Sequence, residues 1–80
     1  MTLRAVYRLD RMYILIKIHR DKMGYTLTSV QTDKSGVISD RCVIENITVN
    51  ERVARRIFNL IVKYKAFSCS ICEIIEDLLC

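Results

Sequence analysis

The hydrophobic pattern of this chain changes its period once, near residue 48. Before that point apolar residues alternate with polar ones, most clearly from Met12 to Ile18, where every even position is apolar. Such an alternation is typical of a half-buried β-strand. After Thr48 the apolar residues recur every three or four positions, which is the repeat of an amphipathic helix. Strands followed by helices predict an α+β fold, in which helices cover one face of an antiparallel sheet.

Three strands are predicted in the first part of the chain. The first covers residues 12–19, and its even positions form the buried face. A second covers residues 25–32, and a third runs from residue 37 to about residue 44. The segment Asp33-Lys34-Ser35-Gly36 between the last two has the composition of a tight turn. Connections this short predict an antiparallel β-meander.

Residues 1–10 allow two interpretations. Their odd positions from Leu3 to Leu9 are all apolar, and the segment could therefore add an edge strand to the sheet or fray. Nothing else in the sequence marks a domain boundary, because there is no proline and no Ser/Gly-rich linker. We therefore expect residues 1–80 to form a single small domain.

Two helices are predicted after the strands. Thr48 and Glu51 have the spacing of a capping box, which places the start of the first helix at this point. The expected buried stripe of this helix consists of Val53, Ile57, Leu60, Ile61 and Tyr64. A second helix is expected from Ser68 or Ser70 to Leu79, and its buried stripe consists of Ile71, Cys72, Ile74, Ile75, Leu78 and Leu79. The predicted fold is thus a three-stranded antiparallel β-meander packed against a C-terminal two-helix hairpin.

The length of the chain argues against an enzyme. A domain of 80 residues buries only about 60% of the surface of its unfolded chain, and a deep active site would occupy much of its core. The glycines, Gly24 and Gly36, both fall in predicted turns, and His19 has no nucleophile beside it in the sequence. We therefore expect a non-enzymatic protein that needs no cofactor.

The sequence also predicts a cytoplasmic location away from membranes. The apolar run that begins at Met12 ends at Lys17, which is shorter than the core of an export signal and far shorter than a membrane span. The cytoplasm keeps most thiols reduced, and the four cysteines are therefore expected as thiols.

Four short stretches carry a resemblance to a known family. They are Gly24-Tyr25, the turn 33–36, the stretch 43–48 that leads into the first helix, and the stretch 74–79 at the end. From about residue 13 to residue 79, the chain resembles a family of short uncharacterised Firmicute proteins that is catalogued only as a domain of unknown function. The resemblance implies a small bacterial cytoplasmic protein, and it brings no activity, ligand or catalytic residue with it. The four cysteines and the strongly basic first helix depart from the family pattern.

The first predicted helix carries a basic face. Its cations are Arg52, Arg55, Arg56, Lys63 and Lys65, and such a face could bind the phosphates of a nucleic acid or another anion. A helix-turn-helix protein would instead read DNA with its second helix. The second helix here carries Glu73, Glu76 and Asp77, which a phosphate backbone would repel. We therefore rank nucleic-acid or anion binding second.

The cysteines offer a third hypothesis. Cys69 and Cys72 form a CxxC motif at a helix start, where the helix dipole favours a thiolate. The same pair could supply two of the four ligands of a zinc ion. No second close pair exists in the sequence, and Cys72 shares the helical face of Ile75. A thiol or zinc site at this motif ranks below the two binding functions.

The first hypothesis is a protein-interaction or regulatory module. Half of the chain is apolar, and surplus apolar surface on so small a domain often forms an interface. Tyr13 and Leu15 occupy odd positions of the first predicted strand, opposite its buried face. We expect these two residues to contact another protein or a second copy of this chain.

Overall fold

The computed structural model describes residues 2–66, 70, 71 and 73–75. The described residues form four strands, β1 (Thr2–Leu9), β2 (Met12–Asp21), β3 (Gly24–Thr32) and β4 (Ile38–Thr48), which are followed by the helix α1 (Glu51–Tyr64). The strands form a single antiparallel sheet in the order β1-β2-β3-β4. The predicted α+β class and the antiparallel meander are confirmed.

The sheet has four strands, and the predicted count of three was wrong. Residues 2–9, which the sequence left open between an edge strand and a frayed end, pair along their whole length with β2. Tyr7 holds this strand to the rest of the molecule, since its ring is buried and its hydroxyl donates a hydrogen bond to the carbonyl oxygen of Ala66. The contact joins residues 59 positions apart in sequence, and local periodicity therefore gives no sign of it.

The core lies between one face of the sheet and α1. The even positions of β2 that the alternation predicted as buried, Ile14, Ile16 and Ile18, are fully enclosed. Leu27 of β3 and Ile57 of α1 belong to the same cluster. The predicted orientation of the first predicted strand, now β2, is therefore confirmed.

The turn between β3 and β4 forms where the sequence predicted it. The Oδ1 atom of Asp33 accepts hydrogen bonds from the backbone N–H groups of Ser35 at 2.9 Å and Val37 at 3.1 Å, and from the Ser35 hydroxyl at 2.7 Å. The Ser35 hydroxyl, followed by the Val37 amide, lowers the pKa of Asp33. The aspartate thus acts as an acceptor that organises the hairpin.

Strand β4 continues past its predicted end near residue 44, and it contains a bulge. Ile44 packs against the core and Ile47 is buried within it, although a spacing of three would place them on opposite faces of a regular strand. The register shifts between Tyr25 and Leu27 of β3, and Asn46 has a φ of 55°. This left-handed residue turns Ile47 back toward the core.

Helix α1 begins at Glu51, and Asn50 caps it. The Asn50 side chain accepts from the backbone N–H groups of Arg52 at 2.9 Å and Val53 at 3.4 Å. The predicted cap, Thr48, instead accepts from the backbone N–H of Asn50 at 3.1 Å. Thr48 is still part of β4, as its last residue. The helix cap therefore falls two residues later, at Asn50.

The predicted buried stripe of α1 was partly wrong. Ile57 and Ile61 are buried as expected, whereas Val53 is 37% and Tyr64 68% exposed. Ala54, Phe58 and Val62 complete the buried or partly buried side of the helix. The buried face of the helix is therefore rotated toward Ala54, which is fully buried, relative to the prediction. Leu60 consequently lies at the boundary with the basic face.

A part of the predicted second helix lies within the described residues. Ser70, Ile71 and residues 73–75 are helical, and Ile71 and Ile75 are buried in the core cluster. Ser68, Cys72, Leu78 and Leu79, which belong to the same prediction, lie outside the described residues.

Within the part of the chain that the structure describes, no helix has the length and apolar character that crossing a membrane requires.

Candidate functional site

The face of the sheet that points away from α1 is the most distinctive surface of the described residues. Cross-strand partners lie on the same face, and the register therefore arranges this surface in rows. The three central rows are Arg8-Tyr13-Thr32, Val6-Leu15-Val30-Arg41 and Arg4-Lys17-Thr28-Val43. We call these residues the open face.

The middle row of the open face is apolar across three strands. Val6, Leu15 and Val30 are direct neighbours on β1, β2 and β3. Val6 is 64% and Leu15 41% exposed. Strands that have both faces covered bury such side chains, whereas this row stays in contact with solvent. The row forms a continuous aliphatic stripe.

Cations surround this stripe. Arg4, Arg8, Lys17 and Arg41 belong to the three rows, and none of the rows contains a carboxylate. Among the described residues the one ion pair is that of Glu51 with Arg55, on α1. The charges of the open face are therefore available to an external group.

Tyr13 and Leu15, the two residues that the sequence singled out, are adjacent members of this surface. Tyr13 is 37% exposed and stands between Arg8 and Thr32. The exposure predicted from their odd positions is observed, while a binding role for them stays a prediction.

The remaining members of the open face were missed by the sequence analysis. Val6, Arg4 and Arg8 belong to β1, which was not assigned as a strand. Val30 and Val43 are on predicted strands, but the register that sets them beside Leu15 and Lys17 depends on how the strands pair. The alternation in residues 2–9 was the signal for the three residues of β1, but it left the segment open between an edge strand and a frayed end.

The basic face of α1 forms a second candidate surface. Arg52, Arg55, Arg56 and Lys63 line a shallow, open depression of about 380 Å³ together with Asn59 and Leu60. Arg55 is paired with Glu51, with an N–O distance of 3.3 Å. Lys65 does not line the depression and instead forms the C-cap of the helix with a φ of 49°. The structure thus brings together four of the five predicted cations.

The thiol hypothesis concerns the two cysteines of the CxxC motif. Cys69 and Cys72 both lie outside the described residues. Over residues 2–66 and the described positions of 70–75, no group of three or more His, Cys, Asp or Glu side chains is arranged to hold a metal ion. Cys42 lies on the buried side of β4 opposite Ser29.

Comparison with known proteins identifies no relative. No protein-family model matches the chain, and neither a curated protein nor a solved structure is similar to it. The resemblance of residues 13–79 to the Firmicute family consequently stays a prediction.

Proposed function

We propose that this chain is a non-enzymatic protein-interaction module and that its open face binds an acidic partner protein. The observation that carries the proposal is the aliphatic row Val6-Leu15-Val30, in which Val6 and Leu15 are exposed, together with four cations and no carboxylate in the three rows. Exposed apolar surface rimmed by charge is typical of a protein-binding site.

The composition of the open face favours a protein over a nucleic acid. Surfaces that bind single-stranded nucleic acids combine cations with several aromatic side chains on which bases stack. Tyr13 is the one aromatic residue in the three rows. Aliphatic residues such as Leu15 and Val30 are better suited to contact the apolar side chains of a protein.

Charge complementarity favours an acidic partner over a second copy of this chain. If two open faces met, Arg4, Arg8, Lys17 and Arg41 of each copy would lie near the same cations of the other, and like charges at an interface cost several kcal/mol. A partner with carboxylates around an apolar centre meets no such repulsion. Self-association, the other partner expected from the sequence, is therefore the less favoured outcome.

A matched pair of substitutions tests the proposal. Leu15→Ser removes an apolar contact at the centre of the open face, whereas Val49→Ser changes a residue that is 81% exposed and outside it. Tagged wild-type and variant chains are used to capture proteins from a nuclease-treated bacterial lysate. We expect an acidic protein to be retained stoichiometrically by the wild type and by Val49→Ser, and at least tenfold less by Leu15→Ser, since about 1.4 kcal/mol of lost contact changes affinity tenfold. Equal retention by both variants would contradict the proposal.

The basic face of α1 supports a second candidate function, the binding of nucleic acids or other anions. Arg52, Arg56 and Lys63 share the depression on α1, and among the described residues none of them is in an ion pair. If they contact three phosphates of a single-stranded oligonucleotide, affinity should fall about 20-fold between 50 and 200 mM salt. Fluorescence anisotropy with a labelled oligonucleotide measures this dependence, and the double variant Arg52→Glu/Arg56→Glu should abolish it. An affinity that does not change with salt would contradict this candidate.

The thiol or zinc site is the third candidate, and it stays a prediction from the sequence. The cysteines in question are Cys69 and Cys72. Metal analysis of the purified protein tests it, because a functional site should bind zinc in the wild type and lose it in Cys72→Ser.

The two-helix hairpin and the cytoplasmic location belong to the same proposal. The hairpin is supported by Ile71 and Ile75, which are both helical and buried. Residues four positions apart lie on the same face of a helix, so the two isoleucines fit a second helix that packs on the core. The location is supported by the composition of the sequence alone.

A further inference from the structure

The two edges of the sheet differ in their ability to accept another strand. Strand β4 forms one edge, and its pairing with β3 is interrupted at two places, between Tyr25 and Leu27 and between Gln31 and Thr32. Strand β1 forms the other edge, and it pairs residue for residue with β2 from Thr2 to Leu9. Bulges hinder edge-to-edge pairing, whereas a regular edge invites it. Within the described residues no strand pairs with the outer side of β1.

The connection between β1 and β2 determines which amides of β1 point outward. Leu9 pairs with Met12 across a two-residue connection, and such a closing pair exchanges both of its hydrogen bonds. Hydrogen-bonded and non-hydrogen-bonded pairs alternate along an antiparallel ladder. The backbone N–H and C=O groups of Arg8, Val6 and Arg4 therefore face away from β2. Within the part of the chain that the structure describes, these groups form a row of donors and acceptors along the edge that no strand pairs with.

The side chains of β1 define the chemistry of a strand that could pair there. Arg4 and Arg8 lie on the open face, whereas Leu3, Leu9 and the buried Tyr7 lie on the core side. The eight residues of β1 contain no carboxylate. A complementary strand therefore has acidic residues at alternate positions facing Arg4 and Arg8, and apolar residues at the positions between.

A second β1 strand fits this edge poorly. Pairing two copies of β1 would place Arg4 and Arg8 of both copies on the same face of one two-stranded ribbon, where like charges destabilise cross-strand neighbours. The occupant is therefore a strand of opposite charge.

We propose that an extended segment of the partner, with alternating acidic and apolar residues, adds to β1 as a fifth strand of the sheet. This inference rests on the proposed function and specifies how the partner engages the protein. The backbone groups of Arg4, Val6 and Arg8 supply the hydrogen bonds, and the two arginine side chains select the charge. Strand addition of this kind gives affinity through the main chain and specificity through alternate side chains.

Val6 permits a test that separates the edge from the open face. Val6→Pro removes the outward N–H group while leaving an apolar side chain, and Val6→Ala shortens the side chain while leaving the N–H group. The probe is a labelled eight-residue peptide of alternating Glu and Val, and a peptide of alternating Lys and Val is its control. We expect the acidic peptide to bind Val6→Pro at least about tenfold more weakly than Val6→Ala, because Val6→Pro loses a main-chain hydrogen bond and sterically blocks the edge, whereas Val6→Ala loses only two methyl groups. Equal affinities of the two variants would overturn the inference.

A charge exchange keeps the test decisive if Val6→Pro fails to fold. Arg4→Glu/Arg8→Glu leaves the edge and the apolar row intact, and it should reverse the preference from the acidic peptide to the basic one. A preference that does not change would overturn strand addition at β1. Partner capture that is lost in Leu15→Ser but unaffected in Val6→Pro would likewise refute this inference while the proposed function stands.

Discussion

At the scale of single residues, Tyr7 links the edge strand to the helical layer. Its ring is 8% exposed, and its hydroxyl donates to the carbonyl oxygen of Ala66, just beyond the C-cap of α1. Burial raises the pKa of Tyr7 to about 12 from an ordinary value of 10.0. The neutral phenol is thus the form that the folded protein favours.

Tyr7→Phe is expected to lower the free energy of unfolding by about 1–2 kcal/mol, because a buried acceptor loses its donor. The pH dependence follows from the same group. A folded pKa above the unfolded one means that the contribution of Tyr7 is complete below pH 10 and declines as the pH rises toward about 12. Urea denaturation at pH 8, 10 and 11 should show the wild type losing its advantage over Tyr7→Phe above pH 10. A difference that stays constant over this range would contradict the assignment.

At the scale of elements, the connection from β4 to α1 uses two residues for two tasks. Thr48 ends the strand, and Asn50 caps the helix. Thr48 closes the strand and accepts from the Asn50 amide at 3.1 Å. Asn50 then caps the helix through its own side chain. Each residue performs one role, although the sequence pattern of a capping box predicted that Thr48 starts the helix.

Asn50→Ala is expected to destabilise the protein by about 1 kcal/mol, since the amides of Arg52 and Val53 lose their acceptor. Asn50→Asp should restore the stability, because a carboxylate accepts the same bonds and interacts favourably with the helix dipole. Chemical denaturation of both variants and of Thr48→Ala gives the comparison. If Thr48→Ala proved more costly than Asn50→Ala, Thr48 would be the cap after all.

At the scale of the whole molecule, the two cationic surfaces lie on opposite sides of the sheet. The open face is on the side away from α1, and the depression lined by Arg52, Arg56 and Lys63 is on the outer side of the helix. The open face carries four cations, and four more line the depression. The positive charge is therefore divided between two separate surfaces. The sheet between them prevents one rigid ligand from contacting both.

This separation predicts independent effects of the substitutions. Leu15→Ser should weaken capture of a protein partner without changing oligonucleotide affinity, and Arg52→Glu/Arg56→Glu should do the reverse. Substitutions at sites on opposite sides of the sheet, without shared contacts, usually have additive effects on free energy. Measuring both ligands on both variants completes the comparison, and a variant that impaired both ligands equally would indicate a single shared site or a folding defect.

Local patterns in the sequence predicted the α+β class, the buried face of β2, the turn at Asp33 and the basic face of α1. Each depends on residues a few positions apart, and the burial of Ile14, Ile16 and Ile18 is a direct consequence of alternation. Resemblance and composition left the choice among three functions open, and the comparisons with known proteins did not narrow it.

The tertiary structure decided what depends on distant residues. Strand β1 is held by its pairing with β2 and by the bond from Tyr7 to Ala66, and the left-handed Asn46 in the bulge returns Ile47 to the core. The rotation of α1 is visible only in which of its residues, Ala54, Ile57 and Ile61, the core encloses. The open face itself requires the register of four strands, and register is set by pairing and packing across the sheet, which no local period encodes.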